Sequence, residues 1–173
     1  MRIGTGYDSH RFEQGRQLIL GGVNIPGHPG LPGHSDGDAI AHAVIDAILG
    51  AAAAGDIGSH FPQEDDTWKG ADSMDLLEQT RRVLEERGFR VVNIDVTVIC
   101  ERPKIAPHID AMKKRLGAVL QVTSDRVSIK GKSNEGLGWI GAGEGVAVHS
   151  VALIDQCSDF PDSGGTGRGS RTL

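Results

Sequence analysis

The stretch from His34 to Ala54, HSDGDAIAHAVIDAILGAAAA, constrains this chain more than any other. From Asp38 to Ala54 its residues are good helix formers, interrupted only by Gly50. Ile40, Val44, Ala47 and Ile48 recur at the spacing of a buried helical face. The rest of the circumference is nearly all apolar, apart from one stripe of Asp38, His42 and Asp46, each four residues from the next. A helix of this kind is buried, and its polar stripe must face partners rather than water. Ser35 and Asp38 have the S-x-x-D form of a capping box, so the helix is expected to start at Ser35. His42 is then either a core histidine held by Asp38 or Asp46, or a metal ligand.

The segments before this helix supply it with a sheet. Arg2 to Phe12 reads as a strand, which puts Asp8 and His10 on one face. Gln17 to Ile25 reads as a hairpin turning at Gly21-Gly22. Gly55-Asp56-Ile57-Gly58 and His60-Phe61-Pro62 form a loop that continues as a charged connector over residues 63–70. A second helix is expected from Asp72 or Ser73 to about Arg87, with Gly88 beyond its end. Phe89 to Cys100 is an alternating, β-branched strand. A third helix runs from Ile105 or Ala106 to near Gly117. Two more strands, Arg126 to Lys130 and Gly145 to Ile154, flank the Gly-rich run from Gly131 to Gly143. This order predicts an α+β (mixed α/β) fold: one domain over 1–156, with a mixed sheet packed against helices. The Gly/Ser-rich segment 157–173 is expected to be a flexible tail.

Composition excludes several function classes. A formal charge of −5 and 4% aromatic residues do not suit a nucleic-acid platform. There is no apolar run of about 18 residues, so no membrane span is expected, and no leader pattern is seen. The two cysteines form no C-x-x-C pair, which fits a reducing, cytoplasmic setting.

Two clusters carry chemistry. Asp8, His10 and His42 offer one carboxylate and two imidazoles, the three-ligand set of a catalytic zinc site or of a facial triad for ferrous iron. Three helices suit the oxygenase scaffold poorly, which favours zinc. Asp38 and Asp46 are then candidates to hold the second nitrogen of a ligand histidine. Lys130-Gly131-Lys132-Ser133-Asn134-Glu135-Gly136 closes a strand with small residues, a hydroxyl and lysines, which suits a phosphate or a plain turn. Glu135 beside phosphate donors fits a second divalent cation bridging phosphate oxygens. Glu101-Arg102-Pro103-Lys104 is a cationic strand end of the same type.

Gly6-Tyr7-Asp8-Ser9-His10, Gly33 to Asp38 with His42, Gly55-Asp56-Ile57-Gly58 with Phe61-Pro62, Arg102-Pro103-Lys104 and Gly143-Glu144-Gly145 together resemble the 2-C-methyl-D-erythritol 2,4-cyclodiphosphate synthases. The resemblance runs from Met1 to about Ile154. It implies a lyase of non-mevalonate isoprene biosynthesis that cyclises 4-diphosphocytidyl-2-C-methyl-D-erythritol 2-phosphate and releases CMP. It also implies a homotrimer with sites at the subunit interfaces. By the same match Asp8, His10 and His42 hold zinc, and Glu135 binds magnesium or manganese with the substrate diphosphate. His34 and Ser133 are the catalytic phosphate donors. Cys100, Pro103, Lys104, Ile105, Ala106, Gly131, Lys132 and Ser133 face the cytidine side of the substrate. Ser35, Asp56, Ile57, Gly58, Phe61 and Gln63 face the rest of it, with Trp139 and Ala142 nearby. Departures from the family pattern are Ser133 for a common Thr, Gln63 for Asp, Trp139 for Phe, and Ala142 for an Arg near the trimer axis. A non-catalytic protein that binds metal and nucleotide phosphate is the rival class, and the presence of both His34 and Glu135 favours the enzyme.

Overall fold

The computed structural model describes residues 1–157, so all but the first residue of the expected tail lies outside the described residues. Four strands form a mixed sheet in the order β1-β6-β4-β5, built from β1 (Arg2–Arg11), β4 (Phe89–Ile99), β5 (Val127–Lys132) and β6 (Gly145–Gln156). β6 is antiparallel to both β1 and β4, while β4 and β5 are parallel. The connection between that parallel pair carries the helix α4 (Ile109–Leu120), as a parallel crossover needs. Strands β2 (Leu18–Leu20) and β3 (Val23–Ile25) form a separate hairpin. It turns at Gly21 and Gly22, both at positive φ (57° and 70°), the backbone that a two-residue hairpin loop demands.

Helix α1 (Ala39–Ala51) lies across the inner face of the sheet. Its partner there is the backbone of β1. A Cβ on Gly4 would come 2.1 Å from the Ala47 carbonyl oxygen, and one on Gly6 would come 1.9 Å from that of Ala43. Alanine on the helix and glycine on the strand thus allow main chain to meet main chain. Ile40, Val44, Ile45 and Ile48 of α1 are fully buried, as are Val96, Val98, Val146 and Val148 of the sheet. Helix α3 (Ser73–Glu86) covers α1 from outside, burying Met74, Leu77 and Leu84. Each such side chain contributes about 1.5–3 kcal/mol of burial.

The first turn of α1 corrects one expectation. Ser35 is not the cap; Asp38 is, accepting from the N–H groups of Ile40 (3.0 Å) and Ala41 (3.1 Å). The same carboxylate accepts from Gly21 N (2.9 Å) and Gly22 N (2.6 Å), tying the hairpin turn to the helix start. A hydroxyl could not serve four donors, whereas a carboxylate has acceptor sites for them. The end of α4 also differs, since the helix runs past Gly117 to Leu120 and is stopped by Gln121 in the left-handed region (φ 57°). A Cβ on Gly117 would lie 2.8 Å from the Val122 carbonyl, so this glycine makes room for the returning chain instead of ending the helix. Four short elements were not foreseen in the loops: α2 (Ile57–His60), α5 (Gly138–Gly141) and 3₁₀ turns over Asp66–Trp68 and Ser124–Arg126.

Among the described residues no helix covers the outer face of the sheet. Ile3 is 69% exposed and Tyr7 50%, with Val151 beside them, and the Tyr7 and His149 rings lie 4.8 Å apart. None of the described helices is long and apolar enough to cross a membrane.

Candidate metal centre and phosphate loop

β1 carries Asp8 and His10 on its inner face, and α1 brings His42 over them. The Nδ1 atoms of His10 and His42 lie 3.0 and 3.1 Å from Asp8 Oδ2, and the three ligand-type atoms all lie within 4.8 Å of one another. Burial works to raise the Asp8 carboxyl, but the adjacent His10 and His42 imidazoles outweigh it and hold Asp8 at about 2. Burial likewise opposes protonation of His42, and Asp8 overcomes it to raise that imidazole. His10 Nδ1 is close to Asp8 but misaligned for a hydrogen bond, which leaves it buried without a hydrogen-bond partner. A buried nitrogen lone pair facing a carboxylate and a second imidazole fits a cation. A tetrahedral ion with bonds of about 2.0–2.1 Å sets its ligand atoms about 3.3 Å apart, close to the two separations from Asp8.

The far side of His42 overturns the expected support. Neither the Asp38 nor the Asp46 carboxylate hydrogen-bonds to the His42 ring: Asp46 accepts from Ile57 N (2.8 Å) and anchors the start of α2. Asp38 is spent on the hairpin turn and helix start. Burial pushes its carboxyl up to about 6 against the pull of its N–H donors. His42 Nε2 instead lies 2.9 Å from Ser35 Oγ and 3.1 Å from Ser73 Oγ. Ser73 went unnoticed because the only local signal it gives is that of a helix start.

A cavity of about 310 Å³ opens on the metal group. Of the expected contacts, Asp8, His10, His34, Ser35, Ile57, Gly58, Phe61 and Gln63 line it, together with the unforeseen Trp68 and Leu76. Phe61 and Trp68 meet edge to face at 5.1 Å, and His34 Nε2 lies 3.1 Å from the Asp65 carbonyl. Asp56 is absent from the lining. Its carboxylate caps α2, accepting from Ser59 N and Ser59 Oγ at 2.8 Å each. Size alone would choose a different cavity, of about 490 Å³ around Glu78, Arg82 and Glu86, but no metal-ligand cluster was found there among the described residues.

A second, smaller cavity of about 140 Å³ is lined by Cys100, Pro103, Lys104, Ile105, Ala106, Gly131, Lys132 and Ser133. Ile105 packs over Gly131, where a Cβ would come within 3.0 Å of it. Ser133 Oγ donates to Glu135 Oε1 (2.5 Å), and Glu135 sits in the left-handed region (φ 51°). The turn is held from below by Glu101, whose Oε1 accepts from Asn134 N (2.9 Å) and Gly136 N (3.3 Å). Glu101 is therefore an organiser of the loop, a role its place beside cations in the sequence does not suggest. Lys130 leaves the proposed phosphate cluster, since its Nζ is bound to Asp95 at 2.5–2.6 Å. Burial, and then Glu101, push the Cys100 thiol up to about 11, which removes it as a nucleophile. Trp139 and Ala142, on and just after α5, line neither of these two cavities.

Both groups sit at the same level of the sheet. Asp8 pairs with Val148, Val148 with Val98, and Val98 with Gly131, so one row crosses all four strands. At about 4.8 Å per strand spacing, Asp8 and Gly131 are about 14 Å apart.

The YgbB family model matches residues 1–155. A 2-C-methyl-D-erythritol 2,4-cyclodiphosphate synthase from Symbiobacterium thermophilum is 56% identical over 154 residues, 89% of this chain and 98% of that protein. A solved structure of such a synthase in a CDP-bound form superposes with a TM-score of 0.82 at 40% identity, covering 89% of this chain and all (100%) of that one. The bifunctional IspDF from Campylobacter jejuni gives a TM-score of 0.86 at 41% identity, covering 90% of this chain but only 42% of that longer one.

Proposed function

Because this chain belongs to the YgbB family, whose members similar to it are 2-C-methyl-D-erythritol 2,4-cyclodiphosphate synthases, we propose a division of labour among its residues in that reaction. The chain cyclises 4-diphosphocytidyl-2-C-methyl-D-erythritol 2-phosphate to the 2,4-cyclodiphosphate and releases CMP. An oxygen of the 2-phosphate attacks the β-phosphorus, and the bond from that phosphorus to the CMP oxygen breaks. The nucleophile is already ionised at neutral pH, so no general base is required. The difficulty is bringing anions together in line, which positioned cations and hydrogen-bond donors relieve.

Asp8, His10 and His42 hold zinc, and Glu135 holds magnesium or manganese together with the substrate diphosphate. Bound there, the cations neutralise phosphate oxygens. His34, at the mouth of the larger cavity, and Ser133, on the turn held by Glu101, donate hydrogen bonds to the phosphates. Residues 100–106 and 131–133 frame the cytidine, with Gly131 leaving room for Ile105. Ile57, Gly58, Phe61 and Gln63 enclose the methylerythritol, and Asp56 positions that loop from its cap.

The active form is a homotrimer with each site shared between neighbours. The bare outer face of the sheet, with Ile3, Tyr7 and Val151, supports burial against other copies of the chain. That the metal group and the phosphate loop line separate cavities supports completion of each site by a second subunit. Trp139 and Ala142 reach substrate only where a neighbouring subunit brings its site to α5.

The observation that carries this reading is the Asp8, His10 and His42 cluster at the cavity floor. The test is CMP release from the synthetic substrate before and after chelation by EDTA. Loss of turnover on chelation, restored by zinc with magnesium, is expected. Full turnover by protein shown metal-free by elemental analysis would refute the reading.

A further inference from the structure

We propose that Ser73 and Asp36 are positioning residues for His42, through a one-way chain of hydrogen bonds from His42 Nε2 through Ser35 and Ser73 to Asp36. This inference rests on the metal-binding reading of Asp8, His10 and His42.

The direction of the chain follows from its last member. An ionised carboxylate only accepts. Ser73 Oγ lies 2.5 Å from Asp36 Oδ1, so the Ser73 hydroxyl proton is committed there. Asp36 is held in place for this, because Ser73 N donates to its Oδ2 (3.2 Å) and Asp38 N to its Oδ1 (3.2 Å). The Ser73 oxygen is left as an acceptor. Ser35 Oγ, 3.1 Å away, gives it a proton. The Ser35 oxygen in turn becomes an acceptor, 2.9 Å from His42 Nε2, and the Gly37 N–H also donates to it (3.4 Å). Ser73 Oγ offers a second acceptor to the same nitrogen at 3.1 Å. With the Ser35 proton given to Ser73, both oxygens that face Nε2 accept.

Burial makes the direction binding. Ser73 is 0% exposed and does not line the neighbouring cavity, so the Ser73–Asp36 end of the chain is closed to water. With a cation bound, the imidazole would keep its proton on Nε2 and present its Nδ1 lone pair on the side of Asp8 and His10. The chain also fixes the ring plane, because Nε2 is held from two sides. Ser73 reaches the site as the first residue of α3, just after the cap Asp72, where its own N–H is free to bind Asp36. The start of α3 is thus fastened to the metal group through a side chain that contacts neither metal nor substrate.

The experiment compares the full-length wild-type chain with Ser73→Ala. Zinc affinity is measured by competition with a chromophoric chelator, and the His42 imidazole N–H is followed in ¹⁵N-edited spectra of the zinc-loaded protein. Loss of an outer partner of a ligand histidine typically costs about 10–100-fold in metal affinity, and that loss is expected for Ser73→Ala. The Nε2–H signal of wild type should exchange slowly with solvent, and that of the variant faster, at an unchanged thermal midpoint. Wild type that binds zinc beside a variant whose affinity stays within about threefold, well short of the usual loss, overturns the positioning role and leaves the metal reading standing. Wild type that binds no zinc overturns both. If Ser73→Ala fails to fold, the wild-type spectrum decides alone: a zinc-bound His42 without a slowly exchanging Nε2–H refutes the chain.

Discussion

Gly6→Ala on β1 should damage stability and metal binding together, while Gly50→Ala on the facing helix α1 should do neither. The Cβ added at Gly6 would lie 1.9 Å from the Ala43 carbonyl oxygen and 2.8 Å from Ala47 N. Ordinary contact begins near 3.4 Å, so α1 and β1 must part by about 1.5 Å, and the obstructing atoms are backbone that cannot rotate away. Overpacking costs about 1–3 kcal/mol, and a main-chain clash belongs at about 3 or above. His42 precedes Ala43 on α1 and Asp8 follows two residues after Gly6 on β1, so the same separation pulls the ligands apart. Metal sites tolerate errors of about 0.2 Å, and zinc affinity should fall by at least about 100-fold. At Gly50 the nearest atom to an added Cβ is Thr5 O at 3.9 Å, so alanine fits and should stabilise the helix by about 0.5–1 kcal/mol. Urea unfolding of chelated protein reads the stabilities, and chelator competition reads the zinc. A Gly6→Ala chain within about 0.5 kcal/mol of wild type, the scatter of a neutral surface substitution, would refute the main-chain approach of α1 to β1.

His34→Ala should lower turnover about 10²–10³-fold, the usual loss for one transition-state donor, without moving the pH profile; a displaced profile would make His34 a base. Asp38 has its folded carboxyl raised from 3.8 to about 6, so its proton is bound more tightly in the folded chain. The stability it contributes is complete below 3.8 and is lost as pH climbs through about 6, so the gap between wild type and Asp38→Asn should be larger at pH 4 than at pH 6.5 by urea unfolding. A gap that stays constant would place the Asp38 carboxyl in the ordinary range. Mixing His42→Ala subunits with Lys104→Ala, Ser133→Ala subunits should restore about a quarter of wild-type activity, since random cyclic trimers leave that fraction of heterologous interfaces intact. If mass spectrometry shows exchange and no activity returns, each chain carries a whole site.

What local periodicity encodes was legible, and what distant contacts decide was not. The Ile and Ala spacing of α1 marks a helix buried all round, and the period of two along β1 places Asp8 and His10 together. The cap of α1 was misplaced because Ser35 and Asp38 both suit that role locally. The choice falls to Asp38 through the Gly21 and Gly22 amides, which no pattern inside the helix reveals. The contact between Ser73 and His42 spans 31 residues, and the hold of Glu101 on the 134–136 turn spans 33 and 35. Lys130 was misassigned for the same reason, as its partner Asp95 stands on the neighbouring strand. The Asp8, His10 and His42 cluster was readable because its members come from one strand and one helix, each with a clean period.

The shared carboxylate of Asp38 also bears on the order in which the chain assembles. It closes the Gly21 turn onto α1 across 17 residues, whereas β1 must find β6 across a span such as that from Arg2 to Ile154. Loop closure makes the longer search costlier by about 2 kcal/mol at the outset. The hairpin and the first turn of α1 therefore nucleate as one event, and β1 docks on the finished helix before the sheet has an edge to receive it. His42, Asp8 and His10 all lie within this early-folding stretch, so the cation site takes shape while the strands that carry the phosphate loop are still unpaired. Substitutions at Asp38 should accordingly slow refolding, and those in β5 should chiefly hasten unfolding.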